Sequence, residues 1–210
     1  MTDTSNIISA IVLAAGLSQR MGAANKLLLP VSGKSLLHRT LDALVEADVD
    51  RIVVVLGHQS NKVREHIQPY RVQVVVNEHY AQGQKSSVTC GLRALGGKTG
   101  GNLGDKQSGV LICLGDQPMI EAKHIRHLVD AFSLSQSQSI VMPVHEGQRG
   151  NPVLISEHVR QRVLKNHANL GCRGYIDKHP ELVNRLRVSD KAFITDIDTH
   201  EEYLAYMNVV

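Results

Sequence analysis

The sequence predicts an α/β protein with a mostly parallel central sheet and helices on both faces. Three observations carry this. Short apolar runs alternate with segments of helical period, in a β-α-β-α-β order. The runs are continuously apolar, as in strands buried on both faces. Aromatic residues make up only 3% of the chain and Trp is absent, so the core is built from Val, Leu, Ile and Ala. At 210 residues the chain is expected to be a single domain spanning 1–210, large enough to bury a proper core.

The first strand is the run Ile11-Val12-Leu13-Ala14-Ala15. It passes into Gly16-Leu17-Ser18-Gln19-Arg20-Met21-Gly22, with Lys26 four residues on. This loop sits at the strand's carboxyl end, where open α/β sheets bind ligands. Its glycines let backbone N–H groups approach an anion, and Arg20 and Lys26 add positive charge. The dinucleotide fingerprint fails here, because Ser18 and Met21 stand where its later glycines belong. The P-loop fails because Gly22 is followed by Ala23.

Ser35 to Ala47 has apolar residues at Leu36, Leu37, Leu41, Leu44 and Val45, a helical period, with Ser35 as N-cap. Arg51 to Leu56 is the second strand, Ser60 to Ile67 a short helix stopped by Pro69, and Val72 to Val76 the third strand. A loop with Gly83 leads to a helix starting near Ser86 or Ser87, either a capped structural helix or an anion site. Gly96 to Gly109 is glycine-dense but precedes a strand, so it is expected to be a surface excursion.

Val110 to Leu114 is the fourth strand, and it delivers Gly115-Asp116-Gln117-Pro118 to the same sheet end. Carboxylate oxygen at that place suits Mg²⁺, which keeps waters and binds substrate phosphates. Ala122 to Ser133 reads as a helix and Ile140 to Val144 as a strand, with Arg149-Gly150-Asn151-Pro152 beyond it. Arg149 can hold a phosphate and Asn151 offers amide donors and acceptors; the same residues also suit a surface hairpin. Glu157 to Leu164 is helical, Leu182 to Val188 a last or edge strand, and His200 to Tyr206 the closing helix. Before that helix, extended backbone would put Asp196 and Asp198 on one side. Thr199 and Glu202 form a capping-box pattern.

Charge and cysteine usage narrow the function classes. A net charge of +3 without basic runs fits a phosphorylated ligand and argues against nucleic acid. Cys90, Cys113 and Cys172 are far apart and odd in number, which speaks against a disulfide framework or a zinc site and for a reducing cytoplasm. The start, MTDTSN, lacks a signal-peptide pattern, and no apolar run approaches membrane-spanning length. His124 and His127 share a predicted helix face without carboxylates and are expected to face solvent.

The string LAAGxSxRMGxxxK, Leu13 to Lys26, resembles the opening motif of nucleotidyltransferases of the molybdenum cofactor type. SSVxxGL, GDQP, RGNPVL and DIDTxEEY resemble later motifs of that family, while Asn169 to Ile176 departs from its GDxGAR segment. The resemblance implies a three-layer Rossmann-like nucleotidyltransferase fold. It implies a nucleotide site at Leu13, Ala14, Ala15, Gly16, Ser18, Arg20, Gly22, Lys26, Gly83, Ser86 and Ser87. Arg20, Lys26 and Asp116 would serve catalysis. Asp116, with Asp198 or Asp196, would hold Mg²⁺. Arg149, Asn151 and Arg173 would face the acceptor. The Ala14-Ala15-Gly16 form resembles the cytidylyl members, the guanylyl members having glycine at the second position. The reaction implied is transfer of CMP from CTP to the phosphate of molybdopterin, with a client molybdoenzyme as a possible partner. Other nucleotides or acceptors (GTP, a sugar phosphate, methylerythritol phosphate) and a non-catalytic cofactor chaperone are the alternatives.

Overall fold

A computed structural model describes residues 6–21, 25–96, 108–135, 139–165 and 171–208. The central strands are β1 (Ile7–Ala14), β4 (Arg51–Leu56), β5 (Gln73–Val76), β6 (Ser108–Leu114), β7 (Ile140–His145), β9 (Val153–Ser156) and β10 (Val183–Arg187). They form one sheet in the order β10-β7-β9-β6-β1-β4-β5, and β8 (Gln148–Arg149) extends β7. A separate hairpin pairs β2 (Pro30–Val31) with β3 (Lys34–Ser35). The helices are α1 (Leu36–Glu46), α2 (Ser60–His66), α3 (Gln84–Ala94), α4 (Ala122–Ser133), α5 (Glu157–Lys165), α6 (Gly171–Lys178) and α7 (His200–Met207).

β1 is an interior strand, parallel to β4 on one side and to β6 on the other. Its residues alternate between two cores, which is why the run is apolar throughout. Ala10, Val12 and Ala14 join Leu37, Leu41 and Leu44 of α1 and Ile125, Leu128 and Phe132 of α4. Ile11 joins Val88 and Leu92 of α3, Val159 of α5 and Tyr175 of α6. Helices therefore cover both faces, as the sequence predicts. Val45, assigned to the buried stripe of α1, is instead 52% exposed. The buried stripe consists of Leu36, Leu37, Thr40, Leu41, Ala43 and Leu44.

β9 runs antiparallel to both β6 and β7, so the sheet is mixed on that side. An apolar run carries no direction of its own, and the turn that reverses it lies in the glycine- and proline-containing segment before it. The expected edge strand is present as β10, parallel to β7. The expected surface excursion lies mostly outside the described residues, although Ser108 and Gly109 belong to β6.

His124 corrects the expectation of a solvent-facing histidine. It is 5% exposed, its Nδ1 accepts from the Glu121 backbone N–H, and its Nε2 lies 3.0 Å from Asp190. His124 is the third residue of α4 and closes that helix's capping box, a role that helical spacing alone does not reveal. His127 is exposed, as expected.

Candidate functional site

The site is assembled where β1, β4 and β6 end. After β1 the chain leaves regular structure over Ala15 to Ser18 and makes one tight turn at Gln19–Met21. Gly22, named in the expected nucleotide loop, lies outside the described residues. A second tight turn, Lys26–Leu28, is capped by Asn25, whose side chain accepts from the Leu27 N–H. Ser18 has a left-handed backbone (φ 51°), and its Oγ accepts from the Lys26 N–H at 3.3 Å. That hydroxyl closes the loop on itself and turns Lys26 back toward β6.

Beyond β6, the Gly115 N–H donates to the Leu13 carbonyl at 3.1 Å. A Cβ on residue 115 would crowd that oxygen at 3.2 Å and Leu27 and Leu37 at 3.3 Å. Glycine thus lets the turn after β6 lie against the end of β1, and Asp116 follows directly. One Asp116 oxygen accepts from Lys26 Nζ at 2.5 Å; its Oδ1 is buried and has no hydrogen-bond partner. Lys26 Nζ also donates to Asp198 at 2.6 Å, and Arg20 donates to the other Asp198 oxygen at 2.6 Å.

The segment carrying Asp196 and Asp198 is held from both ends. The Ile197 N–H donates to the Asp116 carbonyl, and the Ile197 side chain packs on Val31 and Leu36. The Asp198 and Thr199 N–H groups donate to Glu202, whose own N–H donates to Thr199 Oγ1. The capping box read in the sequence is therefore present, and it also fixes the backbone of Asp198. Burial alone would lower the Lys26 ammonium and raise the Asp198 carboxyl; their ion pairs outweigh it, moving Lys26 up and Asp198 down. Asp196 moves up, through partial burial and the neighbouring charges of Asp116 and Asp198.

Two clefts open at these strand ends. One, of about 280 Å³, is lined by Leu13, Ala15, Gly16, Ser18, Lys26, Tyr80, Gly83, Gln84, Ser87, Leu114 and Asp116 among others. The second, of about 440 Å³, is lined by Arg149, Asn151, Arg173, Asp196 and Asp198 over an apolar floor that includes Val88, Ile112 and Met142. Gln84, Leu114 and Asp116 belong to both. Of the expected nucleotide residues, Leu13, Ala15, Gly16, Ser18, Lys26, Gly83 and Ser87 line the first cleft, while Arg20 and Ser86 line neither; the expected acceptor residues line the second, and Asp116 lines both. Ala14 is buried beneath them, with its side chain in the core rather than in a cleft wall.

Helix α3 begins at Gln84, two residues before the expected start. Gly83 (φ 95°) makes the entry, a conformation that suits glycine. Ser86 is consequently inside the first turn. Its Oγ donates within the segment, to the Gly83 and His79 carbonyls, and accepts from Asn77, so it shapes the loop. Ser87 is buried, also accepts from Asn77, and lines the smaller cleft. Gly91, in the motif SSVxxGL, lets α3 lie close on the sheet, since a Cβ there would meet Val55 at 2.8 Å.

In the RGNP segment the Gly150 N–H donates to the Pro143 carbonyl and the Asn151 N–H to the Phe193 carbonyl. Arg149 is ion-paired with Asp177 of α6, the helix that also presents Arg173 to the larger cleft. Arg149 belongs to a hairpin and also lines the larger cleft. Sequence reasoning missed Gln84, Tyr80 and Asp177. Gln84 stands next to the Gly83 already singled out; nothing local marks the other two.

The donor set fits a hard divalent cation. Asp116 and Asp198 are carboxylates brought to one ammonium, and the unpartnered Asp116 Oδ1 offers a further lone pair. Among the described residues no three potential ligands are already grouped as a complete metal cage. A cation that keeps waters and takes phosphate oxygens needs no such cage.

Fold and site together define a class: an α/β protein with a glycine loop and carboxylates at the strand ends, arranged between two clefts. The chain belongs to the MobA-like NTP transferase domain family, whose pattern matches residues 10–183. Nucleotidyl transfer is the activity that this membership supports. The chain is similar to nicotine blue oxidoreductase of Paenarthrobacter nicotinovorans, with 27% identity over 93% of this chain and 94% of that one. It is similar to the molybdenum cofactor cytidylyltransferase of Escherichia coli K12, with 24% identity over 94% of each. Among solved structures, Rv0371c of Mycobacterium tuberculosis H37Rv matches with a TM-score of 0.78 and 26% identity, over 98% of this chain and all of that one. A manganese complex of Rv0371c has also been solved. Among the described residues, no helix is long and apolar enough to cross a membrane.

Proposed function

We propose that this chain, acting as a single domain, transfers CMP from CTP to the phosphate of molybdopterin and releases pyrophosphate. The observation that carries the reading is the position of Asp116, which lines both clefts and lies two residues past the end of β6, the strand paired with β1 ahead of the glycine loop. The similarity to a cytidylyltransferase over nearly the whole chain supports the choice of reaction. Ala15, which lines the smaller cleft, supports a pyrimidine over a purine.

In this reading the smaller cleft takes the nucleotide and the larger one the acceptor. The acceptor phosphate is ionised at neutral pH, so its oxygen attacks the α-phosphorus without a general base. The new P–O bond forms as the α–β bond breaks, and pyrophosphate leaves. Catalysis is then positioning and charge neutralisation. The exposed backbone at Gly16, with Gly83 and Ser87, borders the nucleotide. Arg20 and Lys26 hold its phosphates. Arg149, Arg173 and Asn151 orient the acceptor, for which Arg149 exchanges Asp177 for phosphate. A Mg²⁺ ion held by Asp116 and Asp198, with Asp196 beside them, would neutralise phosphate oxygens. A carrier without catalysis has no need of a carboxylate at the cleft junction.

The test is pyrophosphate release measured with CTP, GTP and ATP, each with molybdopterin, a sugar phosphate or methylerythritol phosphate, in the presence of Mg²⁺. Turnover confined to CTP with molybdopterin supports the reading. Preference for GTP removes the Ala15 argument, and turnover with another acceptor moves the assignment within the family.

A further inference from the structure

We infer that Lys26 is an exchangeable counter-ion, holding Asp116 and Asp198 together before a divalent cation arrives and leaving them when it binds. The inference rests on the proposed nucleotidyl-transfer site and extends it.

The geometry carries it. One ammonium donates to both carboxylates, at 2.5 and 2.6 Å, with side-chain exposures of 12% for Lys26 and 15% for Asp116. Two carboxylates gathered this closely need a positive charge between them, since low local dielectric magnifies their repulsion. A cation held by both carboxylates would draw on the Asp116 and Asp198 oxygens that Lys26 now engages, beside the unpartnered Asp116 Oδ1. Ammonium and metal therefore compete for these carboxylates. Arg20 donates to the other Asp198 oxygen, so without nucleotide the arm keeps a partner when a cation displaces Lys26.

A second consequence concerns the order of events. Lys26 lines the smaller cleft beside Gly16 and Ser18. A bound triphosphate offers the ammonium new anionic partners there. Nucleotide thus removes the competitor, and metal binds more tightly in its presence. The coupling is reciprocal, so metal also tightens nucleotide binding.

The test is Mn²⁺ binding to the intact protein by calorimetry and by paramagnetic resonance, without nucleotide, in the wild type, Lys26→Met, Lys26→Arg and Asp116→Asn. Loss of the competing ammonium is expected to tighten Mn²⁺ binding about tenfold in Lys26→Met, the equivalent of one charge-assisted hydrogen bond. Lys26→Arg keeps the competitor and is expected to stay near the wild type, so it serves as the folded control. Asp116→Asn is expected to lose the site. Equal or weaker binding in Lys26→Met, with Asp116-dependent binding intact in the wild type, overturns the inference and leaves the metal site standing. Absence of Asp116-dependent binding in every variant overturns both.

Discussion

The backbone N–H of Ile197 donates to the carbonyl of Asp116 at 3.0 Å. This bond joins two segments eighty-one positions apart in sequence and sets Asp196 and Asp198 on either side of the residue bonded to Asp116. The carboxylates therefore share a neighbourhood because of a backbone contact, and the RGNP segment supports the same arm. The Asn151 N–H and the Gln117 side-chain amide both donate to the Phe193 carbonyl.

Gly150 is the tight point in that support. A Cβ there would stand 2.6 Å from the Phe193 carbonyl oxygen and 2.9 Å from its Cβ. Backbone cannot swing away as a side-chain tip can, so Gly150→Ala is expected to cost about 1–3 kcal/mol. It should also move the arm bearing Asp196 and Asp198. Chemical denaturation should give the stability loss, and turnover measured well below the melting transition should fall as well. Unchanged turnover would mean that the arm's position does not matter.

Gly57 plays the corresponding part on the nucleotide side. A Cβ there would meet Tyr80 at 2.6 and 2.7 Å and Ala15 at 2.9 Å. Gly57→Ala is expected to push Tyr80 from its place in the cleft wall, at a stability cost of about 1–3 kcal/mol. On the proposed reading the wall borders the bound nucleotide away from Asp116, so the Michaelis constant for nucleotide should rise more than kcat falls. A loss confined to kcat would contradict this assignment.

Asp196 gives a pH-dependent prediction. Its carboxyl is raised in the folded chain, through burial and then through Asp116 and Asp198. The folded protein therefore binds that proton more readily than the unfolded chain does. The stability linked to it is present below the unfolded carboxylate range and is lost as pH rises through the folded value. Asp196→Asn is expected to melt at a higher temperature than the wild type at pH 7, with the difference closing on acidification below about 3.9, the ordinary Asp value. Thermal melts of both proteins across that range are the measurement, and a gap that grows on acidification would reverse the sign. Such a gain at neutral pH is the usual mark of a carboxylate kept for a purpose other than stability.

Much of the fold was legible because buried strands and amphipathic helices write their period into local sequence. Arg51–Leu56 and Ala122–Ser133 fall where expected, as do the Ser35 cap and the Thr199–Glu202 capping box. The family motifs brought the loop at Gly16, the turn at Asp116 and the arm at Asp198 into one hypothesis, and their elements meet in space. What stayed hidden was set by partners far away in the chain. His124 is buried by Asp190 and Phe193, neither of which a helical period can anticipate. The antiparallel sense of β9 depends on its neighbours and not on its own apolar run. The Lys26 bridge needs residues 90 and 172 positions away, and a motif that predicts a phosphate ligand says nothing of what the ammonium holds without phosphate.

The most direct measurement is a crystal structure with a non-hydrolysable CTP analogue and Mn²⁺, the metal located by its anomalous signal. The account predicts the triphosphate between Gly16 and Asp116, the metal on Asp116 and Asp198, and the Lys26 ammonium on phosphate oxygen. A nucleotide seated away from both Gly16 and Asp116 would contradict it.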